Sequence, residues 1–131
     1  MSLVTAKKYK LARSEQFDEY IKAIGAWLVV RKMGSAASPV IELTKNGDEY
    51  TLISQSTFKN TSITFKLGEE SEEETPDGRK VQALITQDGN KLIHIQKGEK
   101  ETTIIREFSE DEVKMTVAVD DIVCTRIYKA I

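Results

Sequence analysis

From Pro39 to the C-terminus the chain is a succession of short apolar-rich stretches separated by turn residues, and this rhythm constrains the fold more than any other feature. Residues 40–44 and 49–54 flank Asn46-Gly47, a hairpin signal because both residues tolerate positive φ. Residues 61–67 alternate, with Ile63, Phe65 and Leu67 on one side. Thr75-Pro76-Asp77-Gly78 is a turn, since proline presets φ and glycine accepts positive values. Further strands are expected at 80–87, 91–97, 102–108, 113–119 and 122–129, with turns at Asp88-Gly89-Asn90, Gly98-Glu99, 109–112 and Asp120-Asp121. Together with a strand near the N-terminus, this makes about ten short strands at roughly ten-residue spacing, which is the pattern of a β-sandwich or β-barrel.

The N-terminal part breaks that pattern once. Residues 7–13 alternate, with Tyr9 and Leu11 between lysines. The period then changes: Phe17, Tyr20, Ile21 and Ile24 fall at i, i+3, i+4 and i+7, one face of a helix. Ser14 is the expected N-cap, Gly25 the stop, and a second short helix is expected over 27–33, ending at Gly34. Two short helices inserted between the first two strands of an antiparallel meander suggest a lid on a closed barrel. Closure removes the sheet edges. A barrel of about ten strands leaves room for an internal cavity.

Composition narrows the function. The 131 residues suit a single domain, 1–131, large enough to need no disulfide staple. A net charge of -2 argues against a nucleic-acid partner. Cys124 is the only cysteine and fits a reducing compartment. With no signal-like N-terminus and no stretch of ~18 apolar residues, the expected location is the cytosol. There is no nucleophile elbow and no phosphate-cradling glycine loop, so no enzymatic activity is expected. His94 is the only histidine, which makes a metal site improbable, and no cofactor is called for. The acidic segment 68–75 is expected to be a short, poorly paired strand, and its run 69–74 reads as a solvated face.

The residues with the most chemistry lie near the C-terminus. Cys124, Arg126 and Tyr128 share one face of the last strand, and Arg106 lies in the strand 102–108. Two inward arginines beside a phenol would form a receptor for a carboxylate, because a buried guanidinium is costly without an anion. Alternation leaves open whether Arg126 or Ile127 faces inward, since apolar residues occupy both faces of that strand.

Several segments together resemble the fatty-acid-binding proteins of the intracellular lipid-binding protein family, in their heart or muscle branch. They are Lys7-Lys8-Tyr9-Lys10-Leu11, Phe17-Asp18-Glu19-Tyr20-Ile21-Lys22-Ala23-Ile24-Gly25 and Ser56-Thr57-Phe58-Lys59-Asn60-Thr61. Phe65-Lys66-Leu67-Gly68, Asp77-Gly78-Arg79-Lys80-Val81, Lys91-Leu92-Ile93-His94-Ile95-Gln96-Lys97 and Cys124-Thr125-Arg126-Ile127-Tyr128 continue it. The resemblance implies an all-β, lipocalin-like fold: a ten-stranded antiparallel β-barrel with a helix-turn-helix lid between its first two strands. It implies a monomeric carrier of one long-chain fatty acid, with Arg106, Arg126 and Tyr128 holding the carboxylate. By the same match, Phe17 and Tyr20 on the lid and Met115 and Val117 on the ninth strand face the ligand tail. Phe58 stands at the portal, and Asp77, His94 and Gln96 hold water in the cavity. Retinoic-acid binders share the arginines, and a membrane-associated structural member of the family is a further alternative. Trp27, Ser71 and Pro76 depart from the usual pattern, leaving chain-length preference open. Trp27 with Lys22, Arg31 and Lys32 would allow transient contact of the lid with membranes.

Overall fold

The computed structural model describes residues 5–17, 19–20, 39–56, 60–74, 80–98 and 101–131. Ten strands follow in chain order: β1 (Lys8–Glu15), β2 (Val40–Asn46), β3 (Glu49–Gln55), β4 (Thr61–Lys66), β5 (Glu70–Glu74), β6 (Lys80–Asp88), β7 (Lys91–Lys97), β8 (Thr102–Phe108), β9 (Glu112–Val119) and β10 (Ile122–Ala130). All ladders are antiparallel. The sheet order is β4-β3-β2-β1-β10-β9-β8-β7-β6-β5, so the first and last strands pair and β4 and β5 end the ladder.

Turn chemistry sets the register as the sequence suggests. Asn46 pairs with Glu49 across a turn in which Gly47 has φ +67°. Val119 pairs with Ile122 over Asp120, which takes φ +54°, a conformation that aspartate tolerates better than most residues.

The inner faces show that the sheet is rolled into a nearly closed barrel. One buried cluster joins Tyr9 of β1, Leu43 of β2, Leu52 of β3, Phe65 of β4, Ile85 of β6, Leu92 of β7, Phe108 of β8, Val113 of β9 and Tyr128 of β10. Strands from both ends of the sheet meet in it, which a flat sheet would not permit. This cluster forms the floor. Above it, Ile104, Val117 and Cys124 form a second cluster, with Met115, Phe17 and Tyr20 packed against it.

The N-terminal helix begins differently from the sequence expectation. Ser14 pairs with Arg126 inside β1 and is not a cap. The chain leaves the strand at Gln16, with φ +58°, and the Tyr20 amide donates to the Gln16 carbonyl at 3.1 Å, which makes Gln16 the start of the turn. Phe17, Glu19 and Tyr20 are helical. The rest of both expected helices, with Trp27, Lys22, Arg31 and Lys32, lies outside the described residues. No helix among the described residues is long and apolar enough to cross a membrane.

Candidate functional site

Strand register builds the site in rows. Arg106 of β8 pairs with Met115 of β9, and Met115 pairs with Arg126 of β10. The two arginines thus share one level of the barrel, on strands separated by a single neighbour, roughly 10 Å apart at Cα. Phe108, Val113 and Tyr128 form the row beneath, and Ile104, Val117 and Cys124 the row above. Every second residue along each strand points the same way. All nine therefore face the interior, as the near-complete burial of Phe108, Val113, Tyr128, Ile104, Val117 and Cys124 requires.

The two guanidinium groups have different surroundings. Arg126 Cζ lies 4.1 Å from the centre of the Phe17 ring and 5.9 Å from that of Tyr128. Its Nε is buried without a hydrogen-bond partner. It has cation–π contacts and no carboxylate partner among the described residues. Arg106 is bound into a polar chain. Its Nη1 lies 3.1 Å from His94 Nδ1, and since arginine can only donate, Nδ1 accepts. The proton of the neutral ring is then on Nε2, which donates to Glu73 Oε1 at 2.8 Å. Gln96 Nε2 donates to the other oxygen, Oε2, at 3.1 Å, leaving Gln96 Oε1 buried and unpartnered.

Electrostatics agrees with that proton assignment. Burial and then the charge of Arg106 hold the His94 pKa below its usual value, outweighing the pull of Glu73, so the ring is neutral at pH 7. Burial pushes the Glu73 carboxyl upward, but the His94 hydrogen bond, the nearby Arg106 and the Gln96 amide together hold it below the ordinary carboxylate range. Burial lowers the Arg106 pKa, with Tyr128 and Glu73 opposing. The Cys124 thiol is pushed up to about 11 by burial and stays protonated. Tyr128 Oη reaches Met115 Sδ at 3.8 Å.

The structure therefore brings Arg106, Arg126, Tyr128, Met115, Val117, His94, Gln96, Phe17 and Tyr20 to one interior, while Phe58 and Asp77 lie outside the described residues. It also resolves the ambiguity of the last strand: Arg126 faces in with Cys124 and Tyr128, and Ile127 is on the opposite face, although it too is only 7% exposed.

One reading of the sequence fails here. The acidic run is not wholly a solvated face, because Glu73 is 9% exposed and bonds His94 and Gln96 inside the barrel. β5 alternates, with Glu70, Glu72 and Glu74 exposed and Ser71 and Glu73 turned the other way. The signal was present in the sequence as a lone serine two residues before Glu73. Among the described residues no His, Cys, Asp or Glu cluster is placed to hold a metal ion.

Comparison with known proteins places this arrangement. Residues 7–131 match the family described as the Lipocalin / cytosolic fatty-acid binding protein family. The chain is 57% identical over 125 residues to the muscle fatty acid-binding protein of Schistocerca gregaria, covering 94% of this chain and 93% of that one. The crystal structure of a fatty acid-binding protein from Drosophila melanogaster brain tissue superposes with a TM-score of 0.92 at 55% identity, over 96% of this chain and 98% of the other. A Schistosoma mansoni fatty acid binding protein in complex with arachidonic acid gives a TM-score of 0.92 at 38% identity, over 95% and 94% of the two chains. With its ten-stranded barrel and near full-length matches, the chain belongs to the lipocalin and cytosolic fatty-acid binding protein family.

Proposed function

We propose that this protein is a carrier that encloses one long-chain fatty acid, with the carboxylate held by Arg106, Arg126 and Tyr128, and delivers it to membranes or enzymes. The observation that carries this reading is the inward row Arg106–Met115–Arg126 directly above Tyr128. It puts two guanidiniums in a buried setting, where an anion offsets their desolvation. The floor beneath is filled by Tyr9, Leu43, Phe65, Phe108 and Val113, so a tail bound at this level extends toward Val117, Phe17 and Tyr20. Relatives named for fatty-acid binding, one of them solved with arachidonic acid, support the ligand class. The carrier acts as a monomer in the cytosol, where an unpaired thiol such as Cys124 persists.

Affinity comes chiefly from the tail. About fifteen buried methylenes at ~0.8 kcal/mol each give a gross gain near ~12 kcal/mol, offset in part by ordering. The head site then selects an acid. Calorimetric titration of delipidated protein with palmitate and oleate is expected to show one-to-one binding. Binding of both weaker than about 10 μM, roughly 7 kcal/mol, would refute the carrier.

A further inference from the structure

Met115 holds the central place in the inward row. It pairs with Arg106 on one side and Arg126 on the other, so the two arginines flank it. Val113 and Val117, on the same face of β9, are 0% and 1% exposed, yet Met115 between them is only half-buried. Arg106 and Arg126 are half-buried too. All three side chains point inward, so their accessible surface lies largely on the interior side of the sheet. A small polar molecule in that space can reach the Met115 sulfur. Two donors beside it lack a strong acceptor. The Tyr128 hydroxyl donates to Met115 Sδ at 3.8 Å, and a thioether accepts only weakly. Arg126 Nε is buried with no hydrogen-bond partner among the described residues. A methionine sulfoxide would supply the missing acceptor, because oxidation makes this apolar side chain polar by adding an oxygen to its sulfur.

We propose that Met115 is a modification site: oxidation of its thioether to the sulfoxide by hydrogen peroxide places an acceptor oxygen among Arg106, Arg126 and Tyr128, where it competes with the ligand carboxylate and lowers the affinity for fatty acids. The proposal rests on the fatty-acid carrier reading and adds to it an oxidation-dependent release of the cargo. In the step, a sulfur lone pair attacks one peroxide oxygen and the O–O bond breaks. The transferred oxygen stays on sulfur and gives up its proton, which the departing hydroxide takes to leave as water. Sulfur is oxidised and the peroxide reduced. The neighbouring thiol is a poorer target. Cys124 is 0% exposed, and burial pushes its pKa up to about 11, so it stays protonated, whereas the reactive form of cysteine is the thiolate. A thioether reacts without ionising.

The test measures dissociation constants of palmitate and hexadecanol for delipidated wild type, Met115→Leu and Met115→Gln, before and after treatment with hydrogen peroxide. Fragment-ion mass spectrometry assigns the added oxygen to Met115 or to Cys124. Wild type is expected to gain oxygen on Met115, and more slowly when palmitate is bound. The oxidised protein should bind palmitate about tenfold more weakly, which corresponds to a head site open about one-tenth of the time. Hexadecanol has no carboxylate to displace and should lose much less. Met115→Leu keeps the other two methionines, Met1 and Met33, and peroxide should leave its palmitate affinity at its own untreated value. Met115→Gln carries an amide oxygen in place of the sulfoxide oxygen and, without peroxide, should favour hexadecanol over palmitate more than Met115→Leu does. The proposal is overturned if Met115 of the folded protein takes up no oxygen, or if treated Met115→Leu loses as much affinity as wild type. It is equally overturned if oxidation weakens acid and alcohol alike, the mark of disturbed packing, or if Met115→Gln and Met115→Leu discriminate the two ligands equally. Palmitate that fails to bind untreated wild type removes the carrier reading and the proposal with it. Normal binding before treatment and an unmoved preference afterwards remove the proposal alone.

Discussion

The barrel interior has two regions built on opposite principles. The floor, from Tyr9 through Leu43, Phe65 and Phe108 to Val113, is a close-packed apolar cluster. The wall of Glu73, His94, Gln96 and Arg106 is a polar chain in which each group depends on the next for its hydrogen bond. Both regions are buried, yet burial acts on them with opposite sign. Apolar surface removed from water stabilises the fold in proportion to its area. Polar groups removed from water cost free energy, which their partners at best return. On the proposed function, the floor holds the barrel together and the wall is the part that would set what the barrel accepts. If so, changes in the floor should move stability, and changes at the inward charges should move selectivity.

The largest effect is expected at Phe108, which is 1% exposed and packs edge-on against Tyr9 at 6.4 Å between ring centres. Phe108→Ala should cost about 3–5 kcal/mol of unfolding free energy, measured by urea denaturation, because the ring leaves a cavity its neighbours cannot fill. The variant should still prefer a fatty acid over the matching alcohol. A loss of stability below ~1 kcal/mol, or a loss of that preference, would show that floor and wall are not separable.

Arg126 offers the converse. Arg126→Gln should weaken fatty-acid binding by about 2–5 kcal/mol and binding of the matching fatty alcohol much less. Unliganded, the variant should be at least as stable as wild type, since an inward guanidinium with no carboxylate partner among the described residues is no longer desolvated. Equal losses for acid and alcohol would mean that Arg126 does not meet the head group.

The wall should also make stability depend on pH. The His94 pKa is lowered in the folded protein relative to its ordinary 6.5. Between that value and the lower folded one, the unfolded chain takes a proton that the folded chain refuses, so stability is full above about pH 6.5 and declines as the pH falls. Glu73, also lowered, extends the loss below its ordinary 4.5 as the folded carboxylate is finally protonated. One group changes the slope by at most ~1.4 kcal/mol per pH unit. Urea midpoints at pH 7, 6 and 5 should fall in wild type, and His94→Gln should flatten the upper limb. An unchanged slope in that variant would place the acid sensitivity elsewhere.

The two regions were not equally legible in the sequence. The strands are set by period-two patterning and by turns such as Asn46-Gly47 and Asp120-Asp121, whose chemistry is local, so nearly all of them could be read before folding. Arg106, Arg126 and Tyr128 could be named from the family resemblance, but alternation could not orient them. Ile127 and Tyr128 are both buried although they point opposite ways, so apolar character marks both faces of β10. Glu73 escaped because every neighbour except Ser71 is acidic, and a run of like charges hides the alternation that would single out one inward member. Ser14 has the chemistry of a cap, but the strand continues to Glu15 before Gln16 turns the chain. Each miss lies where non-local packing overrides a local preference.

Tyr9 provides the finest test of the contrast, because it is the floor residue with a polar link. It is 1% exposed and donates from Oη to the Ser109 carbonyl at 2.6 Å. Burial, and then the charges of Glu110 and Asp111, raise its pKa above the usual 10, so the hydroxyl remains a donor through the neutral and mildly alkaline range. Tyr9→Phe keeps the ring, its packing against Phe108 and almost all of its apolar burial, and removes only that bond. Ser109 is half-buried, so its carbonyl can turn to water when the phenol is gone. The expected cost is therefore about 0.5–1.5 kcal/mol, independent of pH between 7 and 9, with fatty-acid affinity unchanged. A cost above ~2 kcal/mol would mean that the floor, like the wall, depends on a polar contact that burial makes indispensable, and the division between the two would not stand.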